Sequence, residues 1–179
     1  MKEDFSIHSD LILRAVHGEE DAYAALYQLY ARSMLNTAFR IVGDRDDAED
    51  VLQDAFISAF RHLPSFRGES TFGAWLKRIV VHKSVNALNK RRTVSFPEGE
   101  MEHLAAPEPD AADVFPYSVE EVIAAVSRLP DGYRAVFSLY LLEGYDHEEI
   151  SEILSISEST SKSQLNRAKR KLIEILKQR

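Results

Sequence analysis

The chain has 179 residues, 45% of them hydrophobic and 28% charged, a globular composition with room for one ordinary domain or two small ones. Its lack of cysteine excludes disulfides, thiolate zinc sites and direct thiol redox sensing, and suits a reducing cytosol. A polar N-terminus and short, interrupted apolar runs predict neither a signal peptide nor a membrane span, so a cytoplasmic protein without direct membrane insertion is expected.

The first predicted helix runs from Glu19 to about Val42, with apolar Tyr23, Leu26, Tyr27, Tyr30, Leu35, Ala38 and Ile41 at helical spacing, and stops at Gly43. A second is expected from about Asp46 to Leu63, its inner stripe being Ala48, Val51, Leu52, Ala55, Phe56 and Ala59. Pro64 and Gly68 mark a loop over Pro64–Thr71, after which Ser70 or Thr71 can cap a third helix. That helix carries Phe72, Trp75, Leu76, Ile79, Val80 and Leu88 and ends near Arg92 in cations that its C-terminus favours. Trp75 is of a type suited to base stacking, yet its spacing with Phe72, Leu76 and Ile79 favours core packing over that role.

From Thr93 to Pro116 periodicity disappears, and Pro97, Gly99, Pro107 and Pro109 stand among the acids Glu98, Glu100, Glu102, Glu108, Asp110 and Asp113. This composition predicts a flexible acidic linker. Helices resume at Ser118, break at Leu129-Pro130-Asp131-Gly132, run again from about Tyr133 to Glu143 and turn at Gly144.

The final stretch, YDHEEISEILSISESTSKSQLNRAKRKL from Tyr145 to Leu172, has the pattern of a short helix, a tight turn and a basic helix. Asp146 is a fitting N-cap and Glu149 completes a capping box, so the short helix starts at His147, with Ile150, Ile153 and Leu154 as its buried stripe. After the break at Ser155-Ile156-Ser157, Ser157 can cap a second helix that turns Leu165, Ala168, Leu172 and Leu176 inward. Ser159, Lys162, Ser163, Asn166, Arg167 and Arg170 then face outward, short donors suited to base edges followed by cations suited to phosphates. The plainer reading is a solvated amphipathic helix that ends a bundle. Ser155 occupies the turn where many helix-turn-helix motifs carry glycine.

The formal net charge of -7 conflicts with autonomous DNA binding, which depends on cations that displace phosphate counterions. The distribution resolves part of the conflict. Lys77 to Arg92 contains no acid and Lys162 to Arg179 contains only Glu174, whereas acids concentrate at Asp44 to Asp54 and from Glu98 to Glu121.

Three strings, DAEDVLQDAFISAF (Asp47–Phe60), FRGESTFGAWLKRIVVHKSVN (Phe66–Asn86) and LPDGYRAVFSLYLLEGYDHEEISEILSISESTSKSQLNRAKRKL (Leu129–Leu172), occur in order. Together the chain resembles an extracytoplasmic-function sigma factor of the sigma-70 family, nearly end to end. The resemblance implies an all-α protein of two small helical domains: a region 2 bundle over residues 1–92 and a region 4 helix-turn-helix domain over 117–179, joined by the acidic linker 93–116.

By the same resemblance, Asp47, Asp50, Gln53 and Asp54 match the face that docks on a basic coiled coil of core RNA polymerase. Asp46 and Asp47 also suit a helix N-terminus, whereas Asp50 and Asp54 lie four apart on one face. Phe66, Arg67, Lys77, Arg78, His82, Lys83 and Asn86 match the region that recognises and opens the minus-ten promoter element. Such opening needs a pocket for a flipped base and cations along the strand. At position 82 many relatives have Asn; a neutral His still offers one donor and one acceptor. Ser159, Thr160, Lys162, Ser163, Asn166, Arg167 and Arg170 match the reader of the minus-thirty-five duplex.

The linker acids are implied to thread a cationic channel meant for RNA, with an ordinary disordered spacer as the alternative. Relatives are commonly held by an anti-sigma factor, so core polymerase, promoter DNA and such a factor are the expected partners. The rival reading is a helix-turn-helix regulator that binds duplex DNA without polymerase. No metal constellation, nucleotide loop or nucleophile elbow is discernible and the six histidines are scattered, so neither catalysis in isolation nor a cofactor is expected.

Overall fold

The structure is a computed structural model that describes residues 8–91 and 116–178. Every regular element among the described residues is helical. Nearly all of the expected linker, with its six acids, falls outside the described residues, as does Arg92. The chain divides into two compact units, one formed by residues up to Phe39 with Asp44–Ala87, the other by Arg40–Gly43 with the residues from Leu88 onward.

The first unit opens with α1 (Ser9–Val16), a helix that the sequence reading, which begins at Glu19, does not anticipate. Its start explains the omission: His8 enters in the left-handed region at φ 80° and makes no capping side-chain bond, so the usual polar N-cap signal is absent. α2 spans Glu20–Val42, with Glu20 and Asp21 favourably placed in its first turn.

α3 (Arg45–His62) begins one residue earlier than expected because Asp44 is the cap, accepting a hydrogen bond from the Asp47 N–H at 3.1 Å. All six residues of its expected inner stripe are buried. Tyr27 meets Phe56 at 4.7 Å and Tyr23 meets Phe60 at 4.8 Å between ring centroids, which clamps α2 to α3. Such aromatic pairs contribute about 0.5–1.5 kcal/mol each beyond the area they bury. A single 3-10 turn, Leu63–Ser65, closes the helix with Leu63 buried.

α4 (Phe72–Lys90) is capped by Thr71, whose Oγ1 accepts from the Ala74 N–H at 3.2 Å. Phe72, Leu76, Val80, Val81 and Val85 are buried along it. A Cβ on Gly73 would stand 2.9 Å from a Tyr30 ring carbon, so glycine here lets α4 approach that ring closely.

In the second unit α5 (Val119–Ser127) starts with a capping box in which Ser118 and Glu121 satisfy each other's backbone N–H groups. α6 (Asp131–Phe137) starts two residues before the expected Tyr133 and passes into a π-helical stretch, Ser138–Leu142. α7 (His147–Leu154) and α8 (Glu158–Lys177) complete the unit, and α5, α6 and α7 all pack against α8. The core between them holds Ala125, Val126, Leu129, Val136, Leu139, Ile150, Leu154, Leu165, Ala168, Leu172 and Leu176.

Candidate nucleic-acid and protein interfaces

α3 presents its acids on the side opposite its buried stripe. Asp50, Gln53 and Asp54 are exposed, and Asp47 in the first turn is half-buried. Glu49 is engaged with Arg45 at 2.9 Å, whereas among the described residues Asp50 and Asp54 make neither a hydrogen bond nor an ion pair. Ile57, 57% exposed, continues this side of the helix one turn beyond Gln53. The arrangement suits a cationic partner that also supplies some apolar surface.

The loop after α3 forms a cleft. Phe66, Arg67, Gly68, Ser70, Thr71 and Phe72 line one part, and Tyr30 of α2 with Ser9, Ile12 and Leu13 of α1 line the rest, enclosing about 360 Å³. This lies within the ~300–1,000 Å³ range of small-ligand pockets. Gly68 turns the loop in the left-handed region at φ 67°, where a side chain would be strained. Phe66 is half-buried, with its ring 5.1 Å from that of Trp75 and 6.0 Å from that of Phe72. Burial raises the Tyr30 phenol above its ordinary value, so it remains a neutral donor through the physiological range.

Trp75 is half-buried, its ring centroid 5.7 Å from Phe72. It belongs to the aromatic wall behind the loop, in keeping with its helical spacing. Along α4, Arg78, His82 and Asn86 form an exposed file at four-residue spacing, while Lys77 and Lys83 are half-buried beside it. The candidate cations of this helix therefore do not share one face.

The turn between α7 and α8 has the geometry that its length suggests. Asp146 accepts from the Glu149 N–H at 2.8 Å and Glu149 accepts from the Asp146 N–H at 2.9 Å, the reciprocal capping box expected. Ser155 takes the left-handed conformation, φ 54° and ψ 46°, and so fills the position usually given to glycine. Ser157 caps α8 through the Thr160 N–H at 3.1 Å.

On α8, Ser159, Lys162 and Asn166 are exposed and Ser163, Arg167 and Arg170 are half-buried on the same side. Lys162 pairs with Glu158 at 3.1 Å, and Ser163 donates to the Thr160 carbonyl at 2.9 Å. Thr160 differs from the others: it is buried, and its hydroxyl lies 2.8 Å from Ser157 Oγ within the cap. Lys169, absent from the sequence-derived set, is also exposed; its spacing of seven from Lys162 and three from Asn166 is the signal that identifies it.

The chain matches two family descriptions: "Sigma-70 region 2" over residues 26–94 and "Sigma-70, region 4" over residues 119–172. It is 33% identical to the ECF RNA polymerase sigma factor SigM of Mycobacterium tuberculosis, over 94% of this chain and 85% of that protein. It is 30% identical to the ECF RNA polymerase sigma-E factor of Haemophilus influenzae, over 92% of each. Among solved structures it is similar to the sigma factor RpoE from Bartonella quintana, in complex with the anti-sigma factor NepR. That likeness has 25% identity and a TM-score of 0.55, covering 87% of this chain and 96% of that one.

Proposed function

The chain belongs to the extracytoplasmic-function RNA polymerase sigma factors of the sigma-70 family, and we propose that it divides promoter recognition between two domains that meet DNA only once polymerase has placed them. As a sigma factor it directs core RNA polymerase to promoters. The proposed region 2 occupies residues 1–92, the proposed region 4 residues 117–179, with the linker 93–116 between them. The family matches, which end at 94 and resume at 119, support this division.

In region 2, Asp47, Asp50, Gln53 and Asp54 dock on the cationic coiled coil of polymerase. The observation that carries this reading is the pair of exposed carboxylates, Asp50 and Asp54, uncommitted to any cation among the described residues. The cleft beside Phe66 and Arg67 receives an unstacked base of the minus-ten strand, whose phosphates follow the exposed file of Arg78, His82 and Asn86, with the half-buried Lys77 and Lys83 extending their ammonium groups toward it from either flank.

In region 4, Ser159, Ser163 and Asn166 approach base edges of the minus-thirty-five duplex, and Lys162, Arg167 and Arg170 hold its phosphates. Thr160 contributes through the cap that sets the helix start. RNA synthesis is left to polymerase, so the chain itself is no enzyme. Among the described residues no helix is long and apolar enough to cross a membrane. Action beside polymerase places the protein in the cytoplasm. The complex of RpoE with NepR supports an anti-sigma factor as the remaining partner.

Run-off transcription with core polymerase on a library of genomic promoters tests the whole reading. Addition of the protein should produce discrete promoter-specific transcripts, and Arg167→Ala should lower their yield while core association in a pull-down is retained. Tight duplex binding without polymerase, together with no effect on transcription, would instead identify an autonomous regulator.

A further inference from the structure

α7 begins at His147, immediately after its Asp146 cap, and the half-buried imidazole lies between two other elements. The Tyr140 ring from the π-helical stretch stacks on it, 4.5 Å away between centroids and inclined by 19°. Nδ1 lies 2.8 Å from the Oγ of Ser161, a residue fully buried on α8. Ser161 sits in the α8 turn that bears Ser159, Lys162 and Ser163. One ring therefore connects the approach to the helix pair, its first helix and the part of α8 assigned to promoter contacts.

The ring is held neutral near pH 7. Burial pushes the imidazole below its ordinary value and Lys162 and Lys169 on α8 act in the same sense, against Glu158 on α8 and Asp146 at the cap. A neutral imidazole has one N–H and one bare nitrogen, so Nδ1 and the Ser161 hydroxyl need only one hydrogen between them. α7 and α8 also pack together, and their buried residues include Ile150, Leu154, Leu165 and Ala168, whose apolar packing is not directional. A hydrogen bond is directional, and breaking it would strand a buried hydroxyl.

We propose that His147 is a positioning residue for promoter recognition: its bond to Ser161 and its stack with Tyr140 set the rotation of α8 about its own axis, and so the angle at which Ser159, Ser163 and Asn166 meet base edges. The inference rests on the assignment of α8 to the minus-thirty-five duplex. Recognition tolerates only small errors in such placement, because contact geometry must be held to roughly 0.5 Å. Phosphate contacts are less demanding, since they carry no sequence information. Loosening the link therefore reduces discrimination more than total affinity.

The test uses full-length protein assembled with core polymerase and compares binding to a promoter with an intact and with a scrambled minus-thirty-five element. His147→Phe retains an aromatic ring for the stack and removes the bond, Ser161→Ala removes the bond from the other side, and His147→Asn keeps a polar atom near the Nδ1 position. His147→Phe and Ser161→Ala should each reduce discrimination about three- to tenfold, the factor corresponding to one net hydrogen bond. The double variant should lose little more, and His147→Asn should recover much of the loss, with core association and binding to the scrambled duplex unchanged throughout.

Undiminished discrimination in both single variants, or fully additive losses, would overturn the proposal. Ser161→Ala, a small change of volume, carries the test if His147→Phe misfolds. Arg167→Ala separates the two levels: weakened duplex binding in that variant beside unchanged His147→Phe refutes only the positioning role. Unchanged binding in Arg167→Ala removes the α8 assignment and the positioning role with it.

Discussion

Ser155→Gly should stabilise the helix-turn-helix unit. Ser155 ends α7 in the left-handed region, φ 54° and ψ 46°, where an L-residue with a Cβ costs about 1–2 kcal/mol. Glycine removes that cost but raises the entropy of the unfolded chain, a penalty of about 0.4–1 kcal/mol. The exposed Ser155 side chain makes no hydrogen bond among the described residues, and the turn's own bond, from the Ile156 N–H to the Ser151 carbonyl at 3.0 Å, does not involve it. The difference leaves about 0.5–1 kcal/mol in favour of glycine, which for a domain of this size raises the Tm of its transition by roughly 2–8 °C. Thermal unfolding followed by far-ultraviolet circular dichroism reads this directly. A Tm that is unchanged or lower would refute the account of the turn, because it would show that Ser155 is not strained.

Asp54→Lys should reduce association with core polymerase at least tenfold in a pull-down at low salt while leaving the helical signal intact, because it reverses an exposed charge on α3 without touching the buried stripe; equal capture of both proteins would count against that face. Stability of the α7–α8 unit should decline as pH falls below about 6.5, the ordinary value for histidine. His147 is depressed when folded, so in this window the unfolded chain binds the proton first, and by linkage stability present at higher pH is lost on acidification. His147→Asn should flatten this part of a Tm-against-pH profile, and an unchanged slope would assign the loss to other groups.

What could be read from the sequence depended on whether a local signal accompanied each element. α3, α7 and α8 have polar caps at Asp44, Asp146 and Ser157 and regular apolar stripes, so their positions emerge to within a residue or two. α1 has only eight residues and an uncapped start at His8, too little for periodicity to register. The cleft was legible only as the need for a base pocket, because its lining joins residues 9–13, Tyr30 and 66–72, segments that approach one another only through tertiary packing. Residue type alone does not give direction at two sites: Thr160 is drawn into the cap and the half-buried Lys77 lies toward the buried side of α4, even though both lie among residues suited to DNA. Helical phase decides such cases. Lys77 is four residues before buried Val81 and seven before buried Ser84, whereas Arg78, His82 and Asn86 follow the exposed file.

Under the proposed division of labour, the net charge of -7 no longer conflicts with DNA recognition. Cations on α4 and α8 are too few, and too diluted by acids elsewhere in the chain, to give strong phosphate-driven affinity by themselves. The proposed docking through Asp50 and Asp54 would change the problem, because tethered contacts act at effective concentrations that reach the millimolar range. Each DNA-facing helix then needs only weak intrinsic affinity, and weak contacts discriminate best when their geometry is well held. In that setting a residue such as His147, which touches no DNA in the proposed complex, affects promoter choice more than another surface lysine would, since an added lysine strengthens binding to every duplex alike.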